Sequence, residues 1–357
     1  MVKISNIKIY ENIEDDKIID LVIKKYKINP SDISNWHIVK KSIDARKKDD
    51  VHYNYSINLE FKNENKYKKF EKVTKKTLPN IEINNLDKKT PLIIGSGPSG
   101  LFAALTMVQN GLKPTVIEQG DAIEKRQEVV NNFRNNGKLN PLSNVQFGEG
   151  GAGTFSDGKL TTGIHSPFCA KVLQEFVNFG APESTLYLAK PHIGTDNLIN
   201  IIKNIREYII SKGGKFLFNT KAIDFNIKDN KIKSVICTNN GNIFELPATH
   251  VVLAIGHSAR DTFFKLYEKG ILMEKKNFSV GVRIEHLQDS INKAQYGTST
   301  KLKLPPAEYK LAYHSKTGRS CYTFCMCPGG VVIASSSDKN TIVTNGMSNY
   351  LRDRQKC

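Results

Sequence analysis

The sequence predicts an α/β fold: a doubly wound parallel sheet, preceded by a small α+β domain and followed by an inserted β-rich domain. Over residues 91–118, a short apolar run, a glycine-rich turn, an amphipathic helix and a second apolar run follow one another. A later continuously apolar run, Val251 to Ile255, is typical of a strand buried on both faces. Residues 1–85 instead mix alternating strand-like and helix-like segments. At 357 residues the chain is long enough for two or three domains.

The turn within residues 91–118 carries the clearest functional pattern. Gly95, Gly97 and Gly100 have the G-x-G-x-x-G spacing, with Ser96, Pro98 and Ser99 between them. In such a turn the first glycine permits a tight bend, the second admits a pyrophosphate and the third lets helix pack on strand. Strand, turn, helix and second strand follow in the required order, so we predict a dinucleotide-binding site here.

The second apolar run, Thr115 to Ile117, ends at an acid, Glu118. Its distance from Gly95 is close to the ~20 residues expected for the acid that holds a ribose 2′-hydroxyl. A carboxylate would repel a 2′-phosphate, so NADP is disfavoured as the ligand of this fold. At this point NAD and FAD both remain open.

A second glycine-rich stretch, residues 147–159, holds five glycines with Thr154, Ser156 and Lys159 among them. No strand precedes it and no long apolar helix follows, so it is not a second dinucleotide fold. Its backbone N–H groups can face an anion or a flat ring, and its hydroxyls can donate to phosphate oxygens. We predict a second cofactor loop here, in preference to a flexible surface loop.

The other elements follow from apolar spacing and from glycine or proline stops. In residues 1–90 we expect strands at Val2–Tyr10, Trp36–Ser42 and Val51–Phe61, helices at Asp16–Tyr26 and Lys66–Lys76, and a polar linker at Asn84–Thr90. Further on we expect helices at Asp121–Asn135, 168–180 and 196–212, and strands at Lys215–Thr220, Lys231–Thr238 and Val251–Ile255. The predicted domains are 1–85 (α+β), 90–265 (dinucleotide-binding, with a helical insertion at about 163–200), 266–345 (β-rich and incomplete) and the end segment 346–357.

Composition excludes several classes of protein. The net charge of +17 is spread along the chain without a basic arm, and no aromatic RNP pattern or GXXG loop occurs, so nucleic-acid binding is not expected. Charged residues interrupt the first segment, and no apolar run reaches the ~20 residues of a membrane span, so we expect neither a signal peptide nor a membrane partner. Six cysteines in so long a chain do not form a disulfide scaffold, which favours a cytoplasmic, reducing location.

These motifs resemble the bacterial uncharacterised FAD-dependent, or NAD(FAD)-utilising, dehydrogenases of the glutathione-reductase-like flavoprotein superfamily. The resemblance covers residues 90–350, and its most specific segments are SNVQFGEGGAGTFSDGKL (143–160), KPHIGTD (190–196), AIGHSARDT (254–262), GVRIEH (281–286), YTFCMCPGG (322–330) and NGMS (345–348). It implies that the cofactor is FAD. It further implies a soluble oxidoreductase, a dehydrogenase of unknown substrate.

The resemblance also implies which residues hold the cofactor. The Gly95–Gly100 turn would carry the pyrophosphate, Glu118 the adenosine ribose, and Ala222 the adenine edge. Against the pyrophosphate or flavin would lie Gly150, Gly151, Ala152, Gly153 and Thr154. The predicted set is completed by Gln119, Arg126, Lys159, Gly256 and His257.

The catalytic chemistry is less determined. His257 is a candidate to polarise the flavin or a substrate, or it is structural. Cys325 and Cys327 are candidates for a redox pair, but the C-x-C spacing strains a disulfide, and buried inert thiols are the alternative. No metal site is predicted. Arg283 and Glu285 share a face of an expected strand-like segment, where they would form an ion pair.

Alternatives to an FAD-dependent dehydrogenase are an NAD-linked dehydrogenase, a flavin-dependent RNA modifier or sensor, and an inactive truncated fragment. The partner would be a small-molecule substrate or an electron-transfer protein, with NAD(P)H as a candidate donor. Because members of the resembled family continue beyond the NGMS segment, we expect a truncated chain with impaired activity. One extra A in a codon run for Gln-Asn-Ala-Asn would produce its Gln355-Lys356-Cys357 ending.

Overall fold

The computed structural model of the protein describes residues 1–74, 77–81 and 91–357. Its strands and helices are, in chain order, β1 (Val2–Ile9), α1 (Ile18–Tyr26), β2 (Ile33–Asp44), β3 (His52–Phe61), β4 (Glu71–Lys72), β5 (Leu92–Ile94), α2 (Pro98–Gln109), β6 (Thr115–Ile117), α3 (Ile123–Asn136), α4 (Pro167–Asn178), α5 (Gly194–Ser211), β7 (Lys215–Leu217), β8 (Thr220–Lys228), β9 (Lys231–Asn239), β10 (Asn242–Pro247), β11 (Val251–Leu253), α6 (Arg260–Glu268), α7 (Gln288–Tyr296), β12 (Ala312–His314), β13 (Ser320–Tyr322), β14 (Val331–Ala334) and β15 (Thr344–Met347). The predicted linker Asn84–Thr90 lies outside the described residues.

A four-stranded parallel sheet forms the centre of the second domain, in the order β11-β5-β6-β7. Its middle strand β5 is buried over all three residues, as expected for a strand covered on both faces. Strand β6 lies on one side of β5 and β11 on the other, so the strand order reverses direction at β5. The predicted α/β class with a parallel sheet is confirmed.

Helices cover one face of this sheet. Helix α2 begins at Pro98, whose missing N–H suits a first helical position, and it buries Leu101, Ala104, Leu105 and Val108 at helical spacing. Helix α5 packs beside it through a second apolar stripe. Together they enclose a core around Ile93 and Val116 of the sheet.

The other face is covered by an antiparallel three-stranded sheet, β10-β9-β8, rather than by a second layer of helices. Phe225 and Val235 of this sheet are buried against Leu92, Ile94 and Ile117. The domain therefore has three layers, namely helices, a parallel sheet and an antiparallel sheet. The crossover from β7 to β11 supplies the third layer.

The N-terminal domain is an antiparallel sheet in the order β2-β3-β1-β4, with α1 packed on one face through Ile18 and Val22. The predicted helix Lys66–Lys76 is wrong over its described residues: a 3-10 turn, Glu64–Tyr67, precedes the short strand β4, which pairs with β1. Tyr67 stacks on Phe61 at 3.9 Å between ring centroids. Burying this ring and pairing the open edge of β1 outweigh the weak helix propensity of a segment without an apolar stripe.

Residues 266–345 contain α7 and two hairpins, β12-β13 and β14-β15. Residues 281–286 form no regular structure, so the expected strand-like segment is wrong: within the described chain no neighbouring strand pairs with it. Arg283 donates instead to the Cys325 carbonyl at 2.9 Å, and Glu285 pairs with Lys356 at 3.6 Å. Nowhere in the described ranges is a helix both long and apolar enough to cross a membrane.

Candidate cofactor site

A cleft of about 510 Å³ opens where β5, β6 and β11 reach their carboxyl ends. Ligands bind α/β sheets at this edge, where the strand order reverses direction, because loops diverge there and leave a crevice. Many residues of the predicted cofactor set line it: Gly95, Gly97, Pro98, Ser99, Glu118, Gln119, Gly151, Ala152, Gly153, Ala222, Gly256 and His257.

The first glycine turn shows that its three glycines serve different needs. Gly95 has φ +101°, and an added Cβ would overlap the carbonyl of Ala254 on the neighbouring strand end. At Gly100 it would overlap the Gly95 carbonyl. At Gly97, with an ordinary φ of −68°, the only neighbour would be the Gly151 Cα at 3.8 Å. The protein itself therefore has room for a side chain at Gly97, and this room belongs to the cleft.

The second glycine stretch forms a wall of the cleft directly beside the first turn. Gly150 N donates to Ser96 O at 2.9 Å, which ties this loop to the first turn. Gly151 has φ +65°, and an added Cβ would lie 3.0 Å from the Gly97 Cα. Two stretches of bare backbone thus approach each other at the cleft. This arrangement fits a flat, anionic dinucleotide, for which side chains on either wall would be obstacles.

Glu118 joins the two walls. Its Oε2 accepts from both N and Oγ of Ser96 at 2.9 Å, and its Oε1 accepts from Gly120 N and Gly148 N at 3.0 Å. A carboxylate has about four lone-pair sites, and all four are used by the chain's own donors. Glu118 lines the cleft as predicted, but it also organises both loops, which its spacing in the sequence did not reveal.

Arg126 lies beneath the second loop and is fully buried. It donates to the carbonyls of Asn144, Val145 and Glu149, and its guanidinium lies 4.9 Å from the centre of the Phe155 ring. Burial lowers the pKa of Arg126 to about 10, so it remains charged at neutral pH. Arg126 does not line the cleft. Its predicted contact with the cofactor is therefore corrected to support of the loop that does.

Glu149, in the same loop, is a buried carboxylate. Its Oε2 accepts from Ile123 N at 2.7 Å and from Arg206 at 2.8 Å, while its Oε1 has no hydrogen-bond partner among the described residues. Burial raises the pKa of Glu149 to about 7. A charge in this position is costly because one oxygen has lost water without gaining a donor.

Five further predicted residues do not line the cleft: Ser96, Gly100, Gly150, Thr154 and Lys159. Lys159 reaches the Met326 carbonyl, and its Nζ lies 3.4 Å from Glu308 and 3.7 Å from Asp157. Gly150 and Thr154 lie behind the lining, where the Thr154 carbonyl accepts from Thr195 at 2.7 Å. Ion pairs with residues distant in the sequence hold the Lys159 side chain away from the cleft lining. Its predicted contact with the cofactor is corrected accordingly.

The catalytic candidates separate into two places. His257 is exposed in the cleft, and its Nε2 lies 3.4 Å from Ser258 Oγ. Cys325 and Cys327 do not line the cleft and lie beside Lys159. Sequence reasoning missed several lining residues: Gln146, Phe147, Lys221, Thr262 and Phe263. Gln146 and Phe147 lie within the SNVQFGEGG stretch, whose length was a usable signal. The others became lining residues only through folding.

The fold and the cleft are those of an FAD/NAD(P)-binding α/β protein. The chain belongs to the same family as an uncharacterized protein of Clostridium beijerinckii, with 44% identity over 365 residues, 99% of this chain and 67% of that protein. Residues 277–357 match the family model "FAD-dependent protein, C-terminal domain-like", and residues 1–60 match a domain of unknown function, DUF8436. The first of these matches supports FAD as the cofactor.

Solved structures with partial similarity include the following two. Thermovibrio ammonificans THI4 has 16% identity and a TM-score of 0.35, and the match covers 52% of this chain and 64% of that one. Glycine oxidase from Bacillus cereus has 14% identity and a TM-score of 0.31, over 46% of this chain and 55% of that one. Such low TM-scores carry no argument about activity.

Proposed function

We propose that this protein is an FAD-dependent oxidoreductase, a dehydrogenase whose cofactor lies in the cleft that both glycine loops line. The observation that carries the proposal is the meeting of Gly97 and Gly151, both without side chains, at a cleft on the carboxyl edge of a parallel sheet. The family match of residues 277–357 favours FAD over NAD.

The residues of the cleft would divide the work of holding the cofactor. Helix α2 points its N-terminus toward the cleft from Pro98, and its free N–H groups suit the pyrophosphate. Gln119, at the end of β6, is placed for the adenosine ribose, beside Glu118, which holds both loops, and Ala222 on β8 is placed for the adenine edge. Bound FAD would supply the two-electron chemistry, whereas the chain positions it and shapes its surroundings.

His257 is the protein group best placed to act on a reacting atom. It is exposed in the cleft and follows the end of β11 directly, so its imidazole is free to hold or move a proton there. The donor is an unidentified small molecule, NAD(P)H or an electron-transfer protein.

Replacing Gly97 by valine tests the proposal. We expect the wild-type chain to bind flavin stoichiometrically and Gly97→Val to bind none. The valine branches would fill the cleft, while the ordinary backbone φ at this position accepts a side chain. Flavin absorbance after reconstitution with FAD measures binding, and circular dichroism with thermal melting measures the fold.

Gly163→Val is the matched control, because a Cβ there meets open space away from the cleft. It should bind flavin as the wild type does. A Gly97→Val protein that retains stoichiometric flavin would contradict the placement of the cofactor. A colourless wild-type protein that binds NAD instead would support the NAD-linked alternative.

A further inference from the structure

A second group of functional side chains surrounds the Cys325-Met326-Cys327 segment, outside the cleft. Lys159 Nζ lies 3.9 Å from Cys325 Sγ and also donates to the Met326 carbonyl. Arg283, from a separate segment, donates to the Cys325 carbonyl at 2.9 Å. Two cations from different parts of the chain therefore converge on Cys325, Lys159 at its thiol and Arg283 at its carbonyl.

The carboxylates nearby already have cationic partners. Asp157 is buried and receives two hydrogen bonds from the Arg352 guanidinium and one from Ser348. Glu308 pairs with Lys190 at 2.7 Å as well as with Lys159. The cluster of Lys159, Lys190, Arg283 and Arg352 thus outnumbers its carboxylates, Asp157 and Glu308, and an additional negative charge would be stabilised there.

The two thiols differ in environment. Cys327 is buried against the backbone of Gly346, whereas Cys325 is half-buried. The hydrogen bond from Cys327, together with Lys159 and Arg283, lowers the pKa of Cys325 to about 6, against the opposing effects of burial and of Asp157. The pKa of Cys327 is raised by its contact with Cys325 and by burial. One thiol therefore carries the charge and the other keeps the proton.

We propose that Cys325, with the Lys159 ammonium 3.9 Å from its Sγ, is a reactive thiolate that hydroperoxides oxidise to a sulfenic acid. The sulfur attacks one peroxide oxygen and the O–O bond breaks. An alkoxide or hydroxide leaves and takes a proton from water. Sulfur loses two electrons and the peroxide gains two, so no further oxidant is needed. Accessible, low-pKa thiols with cationic neighbours are the ones that react in this way.

Alkylation by iodoacetamide as a function of pH, followed residue by residue with peptide mass spectrometry, tests the thiolate. Cys321, exposed on β13 of the same protein, is the internal reference. We expect Cys325 to reach half its maximal rate at a pH at least about 1 unit below that of Cys321. Equal pH profiles for the two cysteines would overturn the proposal.

Variants identify the cause of the reactivity. Lys159→Gln removes the ammonium beside Cys325 Sγ and Cys327→Ala removes the neighbouring thiol, so each should raise the pH of half-maximal Cys325 alkylation by about 1 unit, a tenfold change in the acid dissociation constant. Lys159→Arg should preserve the reactivity. If Lys159→Gln does not fold, Cys327→Ala alone tests the proposal. Unchanged alkylation of Cys325 in Cys327→Ala would contradict an effect of Cys327 on the Cys325 thiol.

Hydrogen peroxide followed by dimedone tests the oxidation itself. The dimedone adduct should form on Cys325 and be absent from Cys321 at low peroxide concentrations. An adduct on other cysteines without one on Cys325 would refute the assignment. None of these measurements depends on bound flavin, so the outcome is separate from that of the proposed function.

Discussion

Residues 91–268 and residues 269–357 differ in how far their apolar side chains are buried. In the first region the parallel strands are enclosed, with Ile93, Val116 and Ile117 fully buried. In the second, Phe278 and Val282 are 87% and 88% exposed. Most of the exposed large apolar side chains among the described residues lie in this second region. Burial of apolar surface therefore stabilises the two regions unequally.

Polar contacts attach the second region to the first. The buried Asp157 lies in the second glycine loop and binds Arg352 and Ser348. Only a small apolar cluster accompanies it, in which Ile333 and Met347 pack near Ile123. We therefore expect a substitution that removes a charge to destabilise the second region, whereas the apolar core keeps the first region folded.

The largest effect should come from Asp157→Asn. It leaves Arg352 buried without a compensating charge, and breaking such a pair typically costs about 3–5 kcal/mol. Hydrogen exchange should accelerate in β14 and β15 before it does in β5, and chemical denaturation gives the total loss. Asp353→Asn, at an exposed position, should change stability by less than about 0.5 kcal/mol. Equal losses in both variants would contradict the anchoring role.

A pH effect should follow from Glu149 in the first region. Its folded pKa of about 7 lies above the unfolded value of ~4.3, so the protonated form is the one that suits the fold. The contribution to the free energy of unfolding is therefore complete below about pH 4.3 and is lost as the pH rises through about 7. The loss amounts to about 4 kcal/mol, and Glu149→Gln should remove this dependence in pH-dependent denaturation.

Glu124→Gln provides a control of opposite sign. Its hydrogen bond with Arg206 lowers the pKa of Glu124, so its contribution is present above the unfolded pKa and is lost as the pH falls. If wild type and Glu149→Gln show the same pH profile, the buried carboxylate titrates normally and the inference is wrong.

The smallest effect should be that of Glu118 on cofactor affinity. Glu118→Ala should weaken FAD binding by about 1.5–3 kcal/mol, the scale of a hydrogen bond to a charged group. Ser96→Ala removes only the hydroxyl donor to Glu118 Oε2 and keeps the backbone N–H donor, so it should weaken FAD binding less. Titration with FAD separates the two, and unchanged affinity in Glu118→Ala would contradict the role of Glu118 in holding the two cofactor loops.

Local patterns predicted the central unit well. The β5-α2-β6 unit depends on neighbouring residues: glycine spacing, apolar periodicity and Pro98 at the first helical position. The strand ends at Glu118, and the adjoining glycine turn contributes to the cleft. Where short-range sterics decide the conformation, sequence reasoning succeeds.

The predicted helix Lys66–Lys76 failed because long-range pairing and ring stacking overrode local propensity. The predictions that Arg126 and Lys159 contact the cofactor failed for a related reason. A long charged side chain can reach many hydrogen-bond partners. Arg126 donates to three carbonyls under the loop, whereas Lys159 donates to the Cys325 segment. Such choices depend on which groups remain unsatisfied after folding.

The sequence by itself determined the parallel α/β class, the two glycine loops and twelve of the 26 residues that line the cleft. These follow from backbone sterics and apolar periodicity, which are encoded within short stretches of chain. Only the tertiary structure decided that Glu118 joins the loops, that an antiparallel sheet covers the second face, and that Lys159 and Arg283 converge on Cys325. The physical reason is that hydrogen bonds and ion pairs between distant segments are chosen by proximity, which exists only after the chain has folded.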